Sequence, residues 1–252
     1  MNQQEKETKV YNVFQTIAEN YDAANDRMSL GMQRGWKKHL TDAVFESFGI
    51  IGVINGATAE NSGAVKILDL CCGTGDIAIS LAQIAETKGI PAEISGLDFS
   101  PAMLDIARKR CSEAAPNHLK RINWVEGSAM QLPFEDNYFD AVTISFGLRN
   151  TPDFEVVLSE MKRVLKPGAR LFVLDSFELK KGLVYPFYKF YFGTIIPIFE
   201  RKFKDEYKWL NQSTELFLSP EELSDLMRKT GLTQISVNKY LFGACCLLSG
   251  KK

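Results

Sequence analysis

The chain has 252 residues, of which 45% are hydrophobic and 24% are charged, an ordinary globular composition. Its length is sufficient to bury a large core in one domain, or in one domain with an appendage. The 30 lysines and arginines nearly balance the 31 aspartates and glutamates, so we expect no nucleic-acid partner.

The start of the chain and its cysteines argue against several further classes of protein. The first ten residues, "MNQQEKETKV", lack the basic-then-apolar pattern of a signal peptide, and no run approaches the roughly 18 apolar residues of a membrane-spanning helix. We therefore expect a cytoplasmic protein. The five cysteines show no CxxC spacing and only two histidines accompany them, so we expect neither a metal site nor a disulfide framework.

Apolar residues at helical spacing mark the first part of the chain. The segments "VYNVFQTI" and "WKKHLTDAVF" both show this pattern, so two or three helices should precede any strand. We assign residues 1–50 to an N-terminal helical lid. Residues 51–64 are rich in small and turn-forming residues and are expected to form a linker.

Apolar runs alternate with helical stretches from Val65 onward, in residues 65–252. The predicted order is "VKILDLC" (strand), "DIAISLAQIAET" (helix), "AEISGLDF" (strand), "PAMLDIARKRCSE" (helix), "INWVEG" (strand), "FDAVTISF" (strand), "DFEVVLSEMKRVL" (helix) and "ARLFVLDSF" (strand). This alternation predicts a parallel sheet with helices on both faces. A further helix, "SPEELSDLMRKTGL", and a closing hairpin on one edge, "TQISVNKYL" and "ACCLLSG", complete the core.

The segment "LDLCCGTGDIA" places a glycine loop between a strand and a helix, where backbone N–H groups can face a ligand. Gly73, Gly75 and Ala78 satisfy the dinucleotide pattern G-x-G-x-x-G/A, and Asp98 follows where a ribose-binding carboxylate is expected. The loop alone does not separate NAD from another adenosine ligand, and a tight turn without a ligand is a further alternative.

Asp69 favours one of these ligands. It lies at the end of the first strand, where its carboxylate would repel a pyrophosphate but attract a sulfonium or an amino group. The surroundings of the loop therefore favour S-adenosylmethionine.

Several longer segments resemble the UbiE/Coq5 quinone C-methyltransferases. These are "VFQTIAENYDAANDRMSLGMQRGWKKHL", "LDLCCGTGD", "GLDFSPAMLDIA" and "ISFGLRNTPDFEVVLSEMKRVLKPGARLFVLD". The resemblance implies an α/β class I methyltransferase fold: a mostly parallel, Rossmann-like seven-stranded sheet with an antiparallel last strand, and an inserted substrate lid at residues 180–217. It implies methyl transfer from S-adenosylmethionine to a ring carbon of demethylmenaquinol, a polyprenylated quinol.

The resemblance also implies the cofactor-binding residues. Gly73, Thr74 and Gly75 would hold the methionine part and the sulfur, with Asp69 nearby. Asp98 would accept hydrogen bonds from both ribose hydroxyls. A helix cap is the alternative role for Thr74.

Four more positions complete the expected cofactor site. Ser128 and Ala129 stand where the family has Asn or Asp before Ala at the adenine edge, Phe99 follows the ribose carboxylate, and Ser145 ends the fourth strand. For Ser145, a buried hydroxyl bonded to the backbone is the alternative.

Three residues are the catalytic candidates. Methylation of an aromatic carbon needs electron density that a deprotonated hydroquinone supplies, so Arg149 is expected to hold a phenolate or an ordered water. Its guanidinium stays protonated and cannot be the base. A surface ion pair is its alternative. Tyr21 or Asp22 would orient the substrate or relay a proton, or would simply pin the N-terminal segment down.

The stretch "GLVYPFYKFYFGTIIPIF", residues 182–199, suggests a lid over a channel for a polyisoprenoid tail, touching the inner face of the cytoplasmic membrane. Core packing or a homodimer contact is the alternative. Glu200 and Asp175 depart from the family pattern, and Asp175 ends a strand that should border the substrate. Three rival functions therefore stay open: methylation of another aromatic acceptor, a non-catalytic S-adenosylmethionine-binding subunit, and a nicotinamide oxidoreductase.

Overall fold

A computed structural model describes residues 3–49, 63–114, 122–179, 185–186 and 212–252 of the chain. Three helices come first, as the apolar spacing predicts: α1 (Gln3–Ile17), α2 (Tyr21–Met28) and α3 (Gln33–Ser47). Residues 51–62 of the predicted 51–64 linker lie outside the described residues. So do Glu200, the aromatic stretch at 182–199 apart from 185–186, and most of the predicted 180–217 lid.

Strands and helices alternate through the core, which confirms the predicted α/β class. The strands are β1 (Val65–Leu70), β2 (Ala92–Asp98), β3 (Ile122–Glu126), β4 (Phe139–Ser145), β5 (Leu165–Ser176), β6 (Thr233–Tyr240) and β7 (Cys245–Lys251). The helices between them are α4 (Asp76–Thr87), α5 (Pro101–Ala114), α6 (Phe154–Val164) and α7 (Pro220–Lys229).

The described strands form one seven-stranded sheet in the order β3-β2-β1-β4-β5-β7-β6. Among them only β7 runs against its neighbours, pairing Leu248 with Val173 on β5 and with Val237 on β6. The predicted hairpin is therefore correct, with β6 as the outer strand. Chain order reverses on either side of β1, which places a topological switch point between β1 and β4.

Helices cover both faces of the sheet, as a buried parallel sheet requires. One core joins the sheet to α6 and α7 through residues such as Leu158 and Met227, and the other joins it to α3 and α4 through residues such as Val44 and Leu81. Both faces exclude water, so the exposed polar ends of the strands become the place where a ligand can bind.

The first two helices, α1 and α2, pack on α5. Val10 and Ile17 of α1 and Ala24 of α2 are buried together with Met103 of α5 in a third apolar cluster. This packing sets α1 and α2 beside the carboxyl edge of the sheet.

Strand β5 begins earlier than the sequence predicts. Its ladder with β4 starts at Leu165, shifts register, and resumes at Arg170, so the Pro167-Gly168 pair lies in an irregularity of the strand and not in a turn before it. Gly168 has a φ of +82°, a conformation that glycine adopts without a steric penalty.

Candidate functional site

A cleft opens at the carboxyl ends of β1, β2 and β4, where the switch point predicts a ligand. Tyr21 of α2 lines it on the side of the N-terminal helices. Six of the expected cofactor-binding residues line it too: Gly73, Asp98, Phe99, Ser128, Ala129 and Ser145. The fold thus gathers residues from five separate segments of the sequence around one space.

The two glycines of the loop serve different purposes. Both have left-handed backbones, with φ values of +54° at Gly73 and +84° at Gly75. A Cβ at Gly73 would meet nothing within 4 Å, whereas a Cβ at Gly75 would lie 2.7 Å from Cη2 of Trp124 and 3.0 Å from Cβ of Ala107. Gly73 therefore leaves open space on the cleft side, and Gly75 lets the loop close onto the core.

Asp98 ties the glycine loop to the end of β2. Its Oδ2 accepts a hydrogen bond from the Gly73 backbone N–H at 2.8 Å, and its Oδ1 accepts one from Ser100 at 2.9 Å. Burial raises the pKa of Asp98 to about 6, although backbone N–H groups favour its ionised form. Each carboxylate oxygen retains lone pairs, so the group can still accept from a ligand hydroxyl in the cleft.

The serine side chains of the cleft differ in their partners. Ser145 Oγ is buried and has no hydrogen-bond partner, which is costly unless a ligand supplies one. Ser128 Oγ accepts a hydrogen bond from the Met130 N–H at 3.2 Å. The backbone-bonded alternative considered for Ser145 is therefore not what the structure shows.

Asp69 lies beneath the loop, 1% exposed, and does not line the cleft. Thr143 on β4 donates to its Oδ1 at 2.9 Å, and Oδ2 has no partner. Burial raises the pKa of Asp69 to about 7, and the Thr143 hydrogen bond offsets part of that rise. The expected proximity to a sulfonium stays a prediction.

Thr74 and Asp22 contact each other outside the lining of the cleft. The Thr74 hydroxyl donates to Asp22 Oδ1 at 2.8 Å, which joins α2 to the glycine loop. Neither residue, nor Gly75, lines the cleft. The structure thus brings this pair together as an attachment of the N-terminal helices, and a direct role toward cofactor or substrate stays a prediction.

Arg149 forms a buried ion pair, not the surface pair considered as its alternative. Its Nη1 lies 2.5 Å from Oδ1 of Asp175 and donates to the carbonyl of Phe146, while its Nε has no partner. Asp175 is fully buried, and it too does not border the cleft as its strand-end position suggested. Burial raises the pKa of Asp175, and Arg149 offsets part of that rise.

Tyr21 projects into the cleft from the first turn of α2. Burial raises the pKa of its phenol, and the positive charges of Arg149 and Lys37 offset part of the rise. Because the phenol stays protonated near neutral pH, Tyr21 can donate a hydrogen bond but is a poor proton acceptor.

A strained contact between the turns that follow β1 and β4, at the topological switch point, was not predicted from the sequence. Cys71 and Phe146, which follow β1 and β4, have left-handed backbones with φ values of +53° and +55°. A Cβ at Gly147 would lie 2.6 Å from Cβ of Cys71, so only glycine fits between these two turns. Asn150, also missed, lines the cleft with an unpartnered Oδ1. The strain was not foreseeable, because it arises only when distant segments meet.

The cysteines do not provide reactive groups at the site. Burial raises the pKa of both Cys71 and Cys72 well above the usual value, so their thiols stay protonated. Within the described ranges, no group of three or more His, Cys, Asp or Glu side chains is arranged to hold a metal ion. Of the helices in the described part of the chain, none is long and apolar enough to cross a membrane.

Comparison with known proteins finds relatives of one family that match nearly the whole chain. The ubiE/COQ5 methyltransferase family matches residues 2–252. The demethylmenaquinone methyltransferase of Bacillus cereus is 37% identical over 99% of this chain and 98% of its own length. Those of Lactiplantibacillus plantarum and Staphylococcus haemolyticus are 38% and 36% identical, over 96% and 98% of this chain and 95% of each relative.

Solved structures share the fold at lower identity. A SAM-dependent methyltransferase from Thermotoga maritima superposes with a TM-score of 0.61 at 22% identity, covering 96% of this chain and 99% of its own. A SAM-dependent methyltransferase from Aquifex aeolicus gives a TM-score of 0.52 at 17% identity, covering 86% and 96%. At these identities the likeness establishes the fold alone.

Proposed function

Because the chain belongs to the ubiE/COQ5 methyltransferase family, we propose that it transfers a methyl group from S-adenosylmethionine to a ring carbon of demethylmenaquinol, giving menaquinol. The observation that carries this proposal is the cleft, in which a ligand cradle and the Tyr21 phenol share one space. The full-length likeness to demethylmenaquinone methyltransferases selects the acceptor.

The residues of the cleft fit S-adenosylmethionine, which supplies the methyl group when bound. Gly73 lines the cleft and has open space where a Cβ would stand, which leaves room for a ligand beside it. Asp98 offers carboxylate lone pairs for ribose hydroxyls, and Ser145 Oγ is a buried hydroxyl that still needs a partner. Phe99 and Ala129 add apolar contact area that suits a purine.

Methylation at carbon requires negative charge on the quinol ring. In this proposal two residues stabilise that charge: Tyr21, which lines the cleft, and Arg149, which does not. The protonated Tyr21 phenol can donate a hydrogen bond to a phenolate. Arg149 adds a positive charge close enough to affect Tyr21 while Asp175 holds its guanidinium in place. Neither residue accepts the proton; both favour the charged form of the acceptor.

The location and the remaining partners belong to the same proposal. We expect a cytoplasmic protein that touches the inner face of the cytoplasmic membrane, because a polyprenylated quinol resides in the bilayer. Residues 182–199 supply the apolar and aromatic surface for this contact in the proposal, and a homodimer contact is the alternative use of that surface. The same proposal treats residues 1–50 as an N-terminal helical lid and residues 180–217 as an inserted substrate lid.

The proposal is tested with purified protein, methyl-labelled S-adenosylmethionine and detergent-solubilised, chemically reduced demethylmenaquinone. Mass spectrometry should detect one added methyl group on the ring. If S-adenosylhomocysteine binds by calorimetry but the quinol gains no label, then the acceptor is different or the protein is non-catalytic. Failure to bind NAD in parallel removes the oxidoreductase reading.

The role of Arg149 needs a variant that still folds. Arg149→Leu alone leaves the buried Asp175 carboxylate uncompensated, which costs about 3–5 kcal/mol of stability. The double variant Arg149→Leu with Asp175→Asn removes both charges and should fold, because the asparagine oxygen remains as an acceptor for the backbone N–H groups of Arg149 and Ser176. We expect it to lose turnover while it retains S-adenosylhomocysteine affinity. Turnover at the wild-type rate in this double variant would contradict the role of the guanidinium.

A further inference from the structure

Arg110 on α5 joins three segments, and two of them, α2 and the glycine loop, contribute residues to the cofactor cleft. Its Nη1 donates to Asp22 Oδ2 at 2.8 Å, to the Thr74 carbonyl at 3.2 Å and to Thr74 Oγ1 at 2.9 Å. Its Nη2 donates to Asp76, the first residue of α4. One guanidinium therefore contacts α2, the glycine loop and the helix that follows the loop.

A second cation closes this network from the other side. Lys37 on α3 donates to Asp76 Oδ2 at 2.7 Å and is only 15% exposed. Two carboxylates and two cations balance each other, and both α2 and α3 are thereby fixed to the start of α4. Removing Arg110 would leave Asp22 and Asp76 facing each other with a single cation.

The N-terminal helices have another attachment on the far side of the cleft. Lys6 of α1 donates to the carbonyl of Thr151 at 2.5 Å, next to the turn that carries Arg149. Between this attachment and Asp22, the residues Val10, Phe14 and Tyr21 line the cleft. The segment from Lys6 to Asp22 is therefore attached on both sides of the cleft. At the Asp22 attachment, Arg110 is the partner residue on α5.

We propose that Arg110 is a positioning residue that couples docking of the N-terminal helices to the conformation of the glycine loop. Arg110 contacts Thr74 in the loop and Asp22 beside Tyr21. A conformational change in the loop therefore alters the contact that holds α2, and a movement of α2 alters the contact with the loop. Coupling of this kind is reciprocal: a cofactor that orders the loop favours the docked helices, and docked helices favour the cofactor.

The helix itself offers a matched control. Arg108 lies two residues before Arg110 on α5, is about half exposed, and pairs with Asp105 of its own helix. Arg108→Gln removes the same functional group from the same helix without touching the loop or α2. We expect this variant to behave as wild type in every measurement below.

The experiment measures deuterium exchange by mass spectrometry in wild type, Arg110→Gln, Arg110→Lys and Arg108→Gln, with and without S-adenosylhomocysteine. In Arg110→Gln we expect residues 10–28 to exchange about five to ten times faster, and the S-adenosylhomocysteine dissociation constant to rise by a similar factor. The ligand should protect residues 10–28 in wild type but not in Arg110→Gln. Arg110→Lys should restore part of the protection.

A second comparison identifies the partner. Asp22→Asn should reproduce part of the phenotype of Arg110→Gln, because Arg110 also contacts Thr74 and Asp76. The double variant should be no worse than Arg110→Gln, because the contact with Asp22 is already lost in that variant. Additive effects would overturn the proposal. So would unchanged exchange in residues 10–28, or faster exchange across the whole sheet, which would make Arg110 a general stability residue.

The proposal rests on the cofactor cleft and not on the identity of the acceptor. Exchange and S-adenosylhomocysteine binding are measured without any quinol, so failure of the coupling is distinguishable from failure to methylate demethylmenaquinol. In the methylation assay, Arg110→Gln should raise the KM for S-adenosylmethionine more than it lowers kcat, a division that general destabilisation does not produce.

Discussion

Asp69 is a buried carboxyl with one oxygen that has no partner, and its protonation therefore affects folding. Its pKa rises from 3.8 to about 7 in the folded protein because of burial. Between these values the folded protein holds a proton that the unfolded chain has lost, so the free energy of unfolding falls as the pH rises through this window. The contribution is constant below and above it.

Asp69→Asn removes that dependence. From about pH 4 to about pH 8 we expect the stability difference between variant and wild type to shift in favour of the asparagine by up to about 4 kcal/mol. Urea unfolding at several pH values measures it. Thr143→Val removes the hydrogen bond that lowers the pKa, so in that variant the fall should extend to higher pH. Parallel stability curves for wild type and Asp69→Asn would contradict the assignment.

In the glycine loop, we expect Gly75 to affect mainly the stability of the protein and Gly73 to affect mainly ligand binding. Gly75→Ala should destabilise the protein by about 2–4 kcal/mol, because left-handed strain adds to a clash with Trp124. Gly73→Ala carries only the strain, about 1–2 kcal/mol, since its Cβ would enter open space.

Binding should show the opposite order. The methyl group of Gly73→Ala would occupy the cleft that we assign to S-adenosylmethionine, so the S-adenosylhomocysteine affinity should fall more for this variant than for Gly75→Ala. Calorimetry and thermal unfolding on both proteins separate the two effects. If Gly73→Ala binds like wild type, then the ligand does not lie against this residue.

The two last strands of the sheet should differ in stability although they are neighbours in the chain. Strand β7 is hydrogen-bonded on both sides, to β5 and to β6, whereas β6 pairs with β7 alone among the described strands. We expect native-state hydrogen exchange in residues 245–251 to be among the slowest in the protein and in residues 233–240 to be markedly faster. Equal protection of the two strands would show that this edge opens as one unit.

Much of the architecture could be predicted from the sequence because it depends on local patterns. Alternating apolar runs and helical spacings predict the strands and helices, including α7, which the structure shows to begin with a capping box of Ser219 and Glu222. The start of β5 was missed because "KPG" is typical of a turn, and only the ladder with β4 shows the irregular strand.

The candidate site was predicted in outline but not in its connections. Residues at strand ends, such as Asp98 and Ser145, line the cleft because the fold brings all parallel strand ends to one edge. Arg110 is indistinguishable in sequence from the other basic residues of "IARKRC", and its contact with Asp22 joins positions 88 residues apart. Local patterns carry no information about such a pairing.

Because β7 lies between β5 and β6, neither strand can form its pairing with β7 until β7 has been synthesised. Strand β5 leaves the ribosome long before its partner, and β6 emerges before the strand to which it binds. Until residues up to 251 are made, β5 presents an open edge whose N–H and C=O groups can pair with another chain. Productive folding of this edge therefore has to wait until residues 245–251 have left the ribosome, and nascent chains stalled before β7 should depend on chaperones to stay unaggregated.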